Sequence, residues 1–281
     1  MIRLAEIETQ IAGISELLDI IGAMRSLASM RVQEAHRALP GIRRYAETMA
    51  KAIGSALLLM SEVSVAGSAA RAPRAFILCT AEHGFVGGFN ARVMDAAGGV
   101  LGRDDTLFVL GSRGATLARE RGWMPAWTRP MATHPDGVPE TIRPLTAQLY
   151  RLIVRDRVAR VDLIFARHRQ GAGTTIEHRQ LLPLDLPFFS LMQLRLPPLH
   201  NLAPDVLLEK LVADYVLALL TEAAVESLAA ENAARFVAMG SAYDNVSKKL
   251  EELRQDARRA RQSEITTELL DLVTGAEAMH G

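Results

Sequence analysis

Apolar residues recur at alternating steps of four and three along the last third of the chain, residues 204–279. The positions are Met239, Tyr243, Val246, Leu250, Leu253, Ala257 and Ala260, then, after a slip of one residue, Ile265, Leu269, Leu272, Ala276 and Met279. An average spacing of 3.5 residues is typical of a helix that winds around a second helix. No proline follows Pro204, and only Gly240 and Gly275 interrupt the segment. The pattern therefore predicts one long helix.

The same spacing begins the chain. The apolar positions are Leu4, Ile7, Ile11, Ile14, Leu18 and Ile21, and the register continues past Arg25 to Ala28, Val32, Ala35 and Leu39. We predict a first helix over residues 2–60, with Pro40 and Gly41 as the place where it breaks or kinks. Two such helices at opposite ends of one chain pair most simply as an antiparallel coiled coil. The C-terminal helix, on the order of 110 Å long, should overhang and need another surface to cover its far end.

Between the two helices the period changes to that of strands alternating with helices. Short apolar runs predict buried strands at residues 75–79, 106–110 and 161–166, and an alternating run predicts an edge strand at residues 174–182. Helical patterns lie at about residues 91–100, 115–121 and 139–158, and the proline-containing residues 123–139 should be irregular. This alternation favours a mostly parallel sheet covered by helices.

The predicted fold is α/β, an antiparallel coiled coil of long N- and C-terminal helices with an inserted Rossmann-like α/β domain. We place the N-terminal coiled-coil helix in residues 1–65, the α/β domain in residues 72–195 and the C-terminal coiled-coil helix in residues 200–281. Residues 66–73, small and polar, should form a linker. Four prolines mark the loop before the last helix, at Pro183, Pro187, Pro197 and Pro198.

Composition narrows the class of protein. The 281 residues include 32 basic and 32 acidic side chains, so neither nucleic acid nor anionic lipid is indicated as a partner. The single cysteine, Cys79, excludes an internal disulfide and a cysteine-based zinc cluster, and we expect it to be a core residue. No run approaches the roughly 20 apolar residues of a membrane span. With Glu6 and Glu8 near its start, the chain resembles neither a signal nor a transit peptide, so we expect a soluble protein, cytoplasmic or peripheral to a membrane.

A glycine-rich turn after the first strand, residues 84–90, is the stretch that comes nearest to a phosphate-binding loop. It lacks the Lys-Ser/Thr of a nucleotide-binding loop and the spacing of a dinucleotide fingerprint. We therefore favour a tight strand-to-helix turn in which Asn90 caps the next helix. In that turn Gly88 should resist substitution if its φ is positive.

Catalytic constellations are not evident in the sequence. His83 beside Glu82 has no nucleophile or second carboxylate near it, and His168 and His178 flank a turn without forming a metal-binding pattern. We expect no cofactor, no metal and no direct nucleotide binding. A basic run on the last helix, Arg254, Arg258, Arg259 and Arg261, favours a solvated helix face or, alternatively, a basic collar that meets acidic loops of a partner.

Several motifs at both chain ends closely resemble the gamma subunit of F-type ATP synthases. They are residues 233–239, 244–245, 260–268 and 275–278 near the C-terminus, Ala23-Met24 and residues 44–49 near the N-terminus, and the glycine turn. The resemblance covers nearly the whole chain in order. Departures at Glu82-His83, Phe85-Val86, Ala257-Arg258 and the lysine-free residues 20–31 suggest a divergent member or an alternative F-type ATPase.

The resemblance implies a non-catalytic rotor. In this family the coiled coil runs along the axis of a hexamer of alpha and beta subunits, and the foot sits beside epsilon on the membrane ring of c subunits. Rotation couples ion flow to ATP synthesis or hydrolysis at the cytoplasmic face of the bacterial inner membrane. The resemblance also places Met24, Arg235, Gln262 and Thr266 in contact with the beta subunit.

Two other classes of protein remain as alternatives. A free-standing coiled-coil adaptor would elute alone and stable from a sizing column. A small α/β nucleotide-binding enzyme would be stabilised against heat by ATP.

Overall fold

The computed structural model describes residues 4–60, 73–155, 158–169, 171, 173–190 and 198–278. In chain order the elements are α1 (Leu4–Leu57), β1 (Arg74–Cys79), α2 (Phe89–Gly98), β2 (Thr106–Leu110), α3 (Ser112–Glu120), β3 (Trp127–Arg129), a 3₁₀ turn (Pro135–Gly137), α4 (Val138–Val154), β4 (Arg160–Arg169), β5 (Gly173–Leu182), α5 (Leu186–Ser190) and α6 (Pro204–Ala278). The chain divides into two compact units. We call residues Met1–Leu27 with Phe236–Gly281 the coiled-coil unit, and Ala28–Arg235 the sheet unit.

The coiled-coil unit pairs the start of α1 with the end of α6 in opposite directions. Glu8 binds Arg261 at 2.7 Å, Gly22 lies against the ring of Tyr243, and the Arg25 guanidinium lies 5.0 Å from the centre of the Phe236 ring. As the residue number rises along α1, the number of the residue that it contacts on α6 falls. Heptad residues are buried on both helices, at Ile7, Ile21, Met239, Leu250 and Leu253. The predicted antiparallel coiled coil is confirmed.

The sheet unit contains a five-stranded sheet in the order β3-β2-β1-β4-β5. The pairs that β1 makes with β2 and β4, and that β2 makes with β3, are parallel, whereas β5 pairs antiparallel with β4 at the edge. Successive side chains of β1 point to opposite faces of the sheet. Ala75 and Ile77 join one core, and Phe76 and Leu78 join the other. Helices α1, α4 and α6 contribute to the first core, and α2 and α3 to the second. The predicted Rossmann-like sheet, with helices on both faces, is therefore confirmed.

Pro40 does not break the first helix, contrary to one of the two outcomes that the sequence suggested. It lies inside α1, which continues to Leu57. Ala35 and Leu39, just before the proline, are almost fully buried in the first core of the sheet unit. This packing offsets the one backbone hydrogen bond that proline removes from a helix.

Three short elements were not predicted. Residues 123–139, expected to be irregular, contain β3 and the 3₁₀ turn, and α5 includes Pro187 of the expected loop. The expected linker falls largely outside the described residues, as do Met279 and Pro197. Among the helices that are described, none has the length and hydrophobicity to cross a bilayer.

Candidate functional site

The carboxyl ends of β1 and β4 meet where the strand order reverses. The chain moves outward from β1 to β2 and β3, then returns to the other side of β1 as β4. In open α/β sheets, the crevice at this switch point is where ligands commonly bind. Here Ser227 of α6 fills it: its Oγ accepts a hydrogen bond from the Ala166 N–H at 3.0 Å and donates to the Cys79 carbonyl at 3.3 Å. The crevice thus serves as a joint between α6 and the sheet.

Small side chains allow α6 to approach the sheet closely. Ala223, Ala224 and Ala229 are fully buried in the first core, and Ala230 is fully buried in the second. A stretch of α6 of about two turns therefore contributes to both cores of the sheet unit. This packing fixes the helix to the sheet through hydrocarbon contacts on both sides of Ser227.

Arg235 joins α6 to the glycine-rich turn. Its guanidinium donates to the carbonyls of His83 and Gly84 at 3.3–3.4 Å. Within α6 it also binds Glu231 at 2.6 Å and the Asn232 side chain at 2.9 Å. Only 11% of the Arg235 side chain is exposed. The hydrogen-bonding capacity of this arginine is therefore largely used inside the chain.

Glu231 is a buried carboxylate beside this arginine. Burial raises its pKa above the ordinary value, and this effect outweighs the opposing charge and hydrogen bond of Arg235. The backbone N–H of Glu82 also donates to Glu231. The carboxylate thereby connects α6 to the end of the segment that follows β1.

The glycine turn presents carbonyl groups to Arg235. A phosphate cradle requires backbone N–H groups that converge on one point, whereas the contacts observed here are those of a cation-binding turn. Phe85 and Gly87 have positive φ values of 60° and 53°. The tight strand-to-helix turn is the arrangement that the structure contains.

The capping role predicted for Asn90 is wrong. The residue before α2 is Gly88, whose φ is −80°, and no side chain caps the helix. Asn90 lies in the first turn of α2, and its Oδ1 accepts a hydrogen bond from the Ala81 N–H at 2.9 Å. It therefore ties the helix back to the end of β1, which a sequence pattern cannot distinguish from a cap.

Glu82 connects three loops at the same edge of the sheet. Its carboxylate accepts hydrogen bonds from the Ser112 N–H and hydroxyl and from the Met131 N–H, at 2.6–3.0 Å. Burial alone would raise the pKa of Glu82, but these hydrogen bonds outweigh burial, and the pKa lies below its ordinary value. A carboxylate held ionised by three donors has a structural role, and the neighbouring carboxylate of Glu231, whose pKa the charge of Glu82 helps to raise, has its own partner in Arg235.

A network of ion pairs joins α1, β4, β5 and α6 on the other side of the joint. Glu222 accepts from Arg43 and Arg179 at 3.0 Å each, and Glu226 pairs with Arg43 and with Arg167. Burial would raise the pKa of Glu222, but Arg179 and Arg43 outweigh it and hold the pKa below its ordinary value. The network supplies charged contacts that hold α6 in one register on the sheet.

His168, His178 and Cys79 have structural roles. His168 lies 3.2 Å from the Thr174 hydroxyl and His178 lies 3.0 Å from Asp162, so the two rings have separate partners. The described residues contain no cluster of three or more His, Cys, Asp or Glu side chains that could hold a metal. Cys79 is 1% exposed, and burial raises the pKa of its thiol to about 12.

In the coiled-coil unit, Gln262 and Thr266 lie along one exposed groove of about 590 Å³. The groove is lined by Glu8, Ile11, Arg254, Ala257, Arg258, Arg261, Gln262, Ile265 and Thr266. Its lining includes two isoleucines, which are apolar, and three arginines, which carry positive charge. Met24, on α1, is half-buried next to Arg25. The four residues expected at a partner surface thus lie at different places. Arg235 is bound to the glycine turn of the sheet unit, and the other three lie in the coiled-coil unit.

Sequence reasoning missed the joint at Ser227. The two groups that Ser227 binds are 61 and 148 residues away along the chain. A serine between Glu226 and Leu228 in a helix carries no signal for such contacts. The two alanine pairs on either side of Ser227, at residues 223–224 and 229–230, are the pattern that suggests a close approach of helix to sheet.

The chain is similar to known proteins along its whole length. The sequence model described as ATP synthase matches residues 3–279. The ATP synthase gamma chain of Chlorobaculum tepidum is 26% identical, with 99% of each chain covered. That of Moorella thermoacetica is 25% identical, covering 99% of this chain and 100% of the relative.

Solved structures with a similar fold belong to the same kind of assembly. A chain in the rotor of the Euglena gracilis mitochondrial ATP synthase superposes with a TM-score of 0.63 at 12% identity, covering 93% of this chain and 98% of that one. A chain from the central stalk and c-ring of the Tetrahymena thermophila enzyme gives a TM-score of 0.55 at 17% identity, covering 79% and 99%. At these identities the likeness concerns the fold.

Proposed function

Because the chain belongs to the gamma-chain family of ATP synthase, we propose that it is the central-stalk rotor subunit of an F-type ATP synthase. It couples ion flow through the membrane c-ring to ATP synthesis or hydrolysis in the alpha–beta hexamer. The observation that carries this conclusion is the family match over residues 3–279, with 99% of both chains covered in the comparison with the Chlorobaculum tepidum relative. Its partners are the alpha and beta subunits, the epsilon subunit and the c-ring.

The chain contributes no catalytic residues to this assembly. In support, the crevice where an α/β sheet would bind a nucleotide is occupied by Ser227 and the alanines around it. Glu82, His168 and His178 have structural partners. The catalytic nucleotide sites then belong to the hexamer, at the cytoplasmic face of the bacterial inner membrane, where the subunit is peripheral.

Met24, Gln262 and Thr266 form contacts with the beta subunit in this proposal. The groove that contains Gln262 and Thr266 favours an acidic loop as its occupant, because three arginines line it. Arg261 pairs with Glu8 and Arg258 with Glu251, so the arginines still outnumber these two carboxylates. The apolar part of the groove, at Ile11 and Ile265, would receive a hydrophobic side chain of the same loop. This supports a basic collar as the function of the arginine run.

Arg235 acts as part of the same proposal, through two kinds of contact. Its intramolecular bonds to Glu231 and the glycine turn connect torque on α6 to the sheet unit. A beta-subunit contact at Arg235 would use the exposed remainder of the side chain. Substitution of this arginine then alters coupling by loosening the joint as well as by removing a partner contact.

Exposed apolar residues near the end of α6 support a covering partner. Ile265, Leu269, Leu272 and Val273 are each more than half exposed. Apolar surface of this kind promotes association when it is not covered. We expect the isolated chain to aggregate, and co-expression with alpha and beta subunits to yield a complex that co-purifies in constant stoichiometry.

The same purification separates the proposal from its alternatives. A well-behaved monomer that gains nothing from co-expression would favour the coiled-coil adaptor. An increase in thermal stability on adding ATP to the chain alone would favour a nucleotide-binding enzyme. Either result would contradict the rotor assignment.

A further inference from the structure

The sheet unit contains an apolar cavity of about 200 Å³ between α4, α6 and the end of the β4–β5 pair. The lining side chains are Thr146, Leu149, Tyr150, Ile153, Val161, Leu181, Leu182, Val212 and Val216. Those from α4 follow a helical face at steps of three and four, and Val212 and Val216 are one turn apart on α6. The walls are therefore regular elements of the fold, and the space is preformed.

Hydrocarbon dominates the lining. The Thr146 hydroxyl donates to the Ile142 carbonyl at 3.1 Å within α4, so it is already satisfied. Only the Tyr150 hydroxyl remains as a polar group of the lining side chains. A buried water needs two to four polar partners, so the cavity is unfavourable for water.

The size of the cavity matters because protein interiors are otherwise close-packed. A space of this volume deprives its lining of the dispersion contacts that a filled core would give. Apolar cavities of about 150 Å³ in other proteins stay dry and bind benzene. A cavity of about 200 Å³ can therefore hold one six-membered ring with a small substituent.

Partly exposed lining residues indicate where the cavity opens to the surface. Leu149, Val161, Leu181 and Val216 are buried and form the inner wall, whereas Tyr150, Ile153, Leu182 and Val212 are only half-buried. The Tyr150 hydroxyl lies close enough to the exposed carboxylates of Glu209 and Asp214 to be influenced by their charge. The opening therefore has one polar group, and the interior has none.

We propose that this cavity is a binding site for a small, neutral, apolar molecule of about one ring, seated between α4 and α6 with Tyr150 at the entrance. The inference goes beyond the rotor function, and only its test uses the assembled complex. Because the site is preformed, binding requires no repacking of the core. For about seven non-hydrogen atoms, a dissociation constant on the order of 1 mM or tighter is expected.

Fluorobenzene is a suitable probe, since its ¹⁹F relaxation reports binding to large particles. The purified complex containing the full chain should broaden the ¹⁹F signal, and excess toluene should reverse the broadening. The variant Val216→Phe fills the cavity and should remove the toluene-sensitive part of the signal. Val206→Phe makes the same substitution at a position of α6 that is 38% exposed and outside the cavity, and it should retain the wild-type signal.

The partner subunits contribute the same background to every complex, so the difference between these two variants decides the matter. Equal toluene-sensitive broadening in the Val216→Phe and Val206→Phe complexes would overturn the proposal. If the Val216→Phe chain does not assemble, Thr146→Leu narrows the same space from α4 and must weaken binding at least severalfold. An unchanged affinity in Thr146→Leu would equally overturn it.

Discussion

Two adjacent glycines in the turn after β1 differ in what they require of the backbone. Gly87 has a φ of +53°, in the left-handed region, whereas Gly88 has a φ of −80° and open space where a Cβ would lie. The sequence suggested Gly88 as the sensitive position on the condition of a positive φ, and that condition is not met. A residue with a side chain would therefore be strained at position 87 and not at position 88.

We predict that Gly87→Ala lowers the free energy of unfolding of the sheet unit by about 1–2 kcal/mol, the cost of a left-handed conformation for an L-residue. Gly88→Ala is the matched control and should change it by less than about 0.5 kcal/mol. Urea unfolding followed by the fluorescence of Trp123 and Trp127, both in the sheet unit, measures the difference. Equal effects at the two positions would contradict this account of the turn.

The Ser227 hydroxyl bridges β1 and β4. Ser227→Ala leaves the Ala166 N–H buried without a partner, and we expect a loss of about 1–3 kcal/mol in unfolding free energy. Ser241→Ala, at an exposed position of the same helix, is the control and should be nearly neutral. The Ala166 amide should also exchange with deuterium faster in Ser227→Ala, and an unchanged exchange rate would argue against the joint.

At the scale of elements, the ion pairs of Glu222 predict a dependence on pH. The pKa of Glu222 is lowered in the folded chain, so the unfolded chain binds the proton more tightly. The stabilisation is therefore present above the ordinary pKa near 4.5 and is lost as pH falls through the lowered value. Glu222→Gln should destabilise the sheet unit at pH 7, and the difference from wild type should shrink below about pH 4.5.

The control for this titration is Glu209→Gln, an exposed glutamate on the same helix. It should leave the pH profile of unfolding unchanged. If the difference in unfolding free energy between wild type and Glu222→Gln stays constant between pH 7 and pH 3, the carboxylate charge is not what stabilises the network.

The long elements could be predicted from sequence because their patterns repeat many times. Ten heptad positions define α1, and the apolar runs of β1 and β2 coincide with the observed strands to within one residue. β3 was missed because three residues beside a proline carry no period. The sequence left open whether the first helix breaks or kinks at Pro40. The helix does not break there, because Ala35 and Leu39 pack into the first core of the sheet unit.

The candidate site was less predictable because its contacts join distant parts of the chain. Ser227 meets Cys79, and Arg235 meets Gly84, across about 150 residues, so local patterns contain no trace of either bond. Gln262 and Thr266 are four residues apart, so a helix brings them to one face, and they line one groove. Spacing along one helix is predictable, whereas contacts between a helix and a loop require the fold.

At the scale of the whole molecule, coupling depends on contacts that hold and then release. Met24 is half-buried beside Arg25, whose guanidinium already lies over Phe236. Met24→Lys adds a second cation there, which can form an ion pair with a beta-subunit carboxylate and trap one rotary position. We predict near-normal assembly and ATP hydrolysis but fewer ions pumped per ATP, with partial recovery on further substitution of Arg235, Gln262 or Thr266.

The measurement for Met24→Lys is the ratio of pumping to hydrolysis in membrane vesicles. Ser26→Lys, an exposed position two residues away, supplies the matched control and should keep the wild-type ratio. If Met24→Lys lowers pumping and hydrolysis in the same proportion, the residue serves assembly or turnover, and its coupling role is wrong.

Direct observation of rotation tests the central claim. Glu120→Cys places one reactive thiol at the exposed end of α3, while Cys79, buried and with a thiol pKa of about 12, stays unlabelled. With the hexamer fixed to a surface through its beta subunits and a probe attached at position 120, ATP should turn the probe continuously in one direction, at a rate proportional to hydrolysis. A probe that keeps a fixed orientation while the same complex hydrolyses ATP would contradict the assignment of this chain as the rotor.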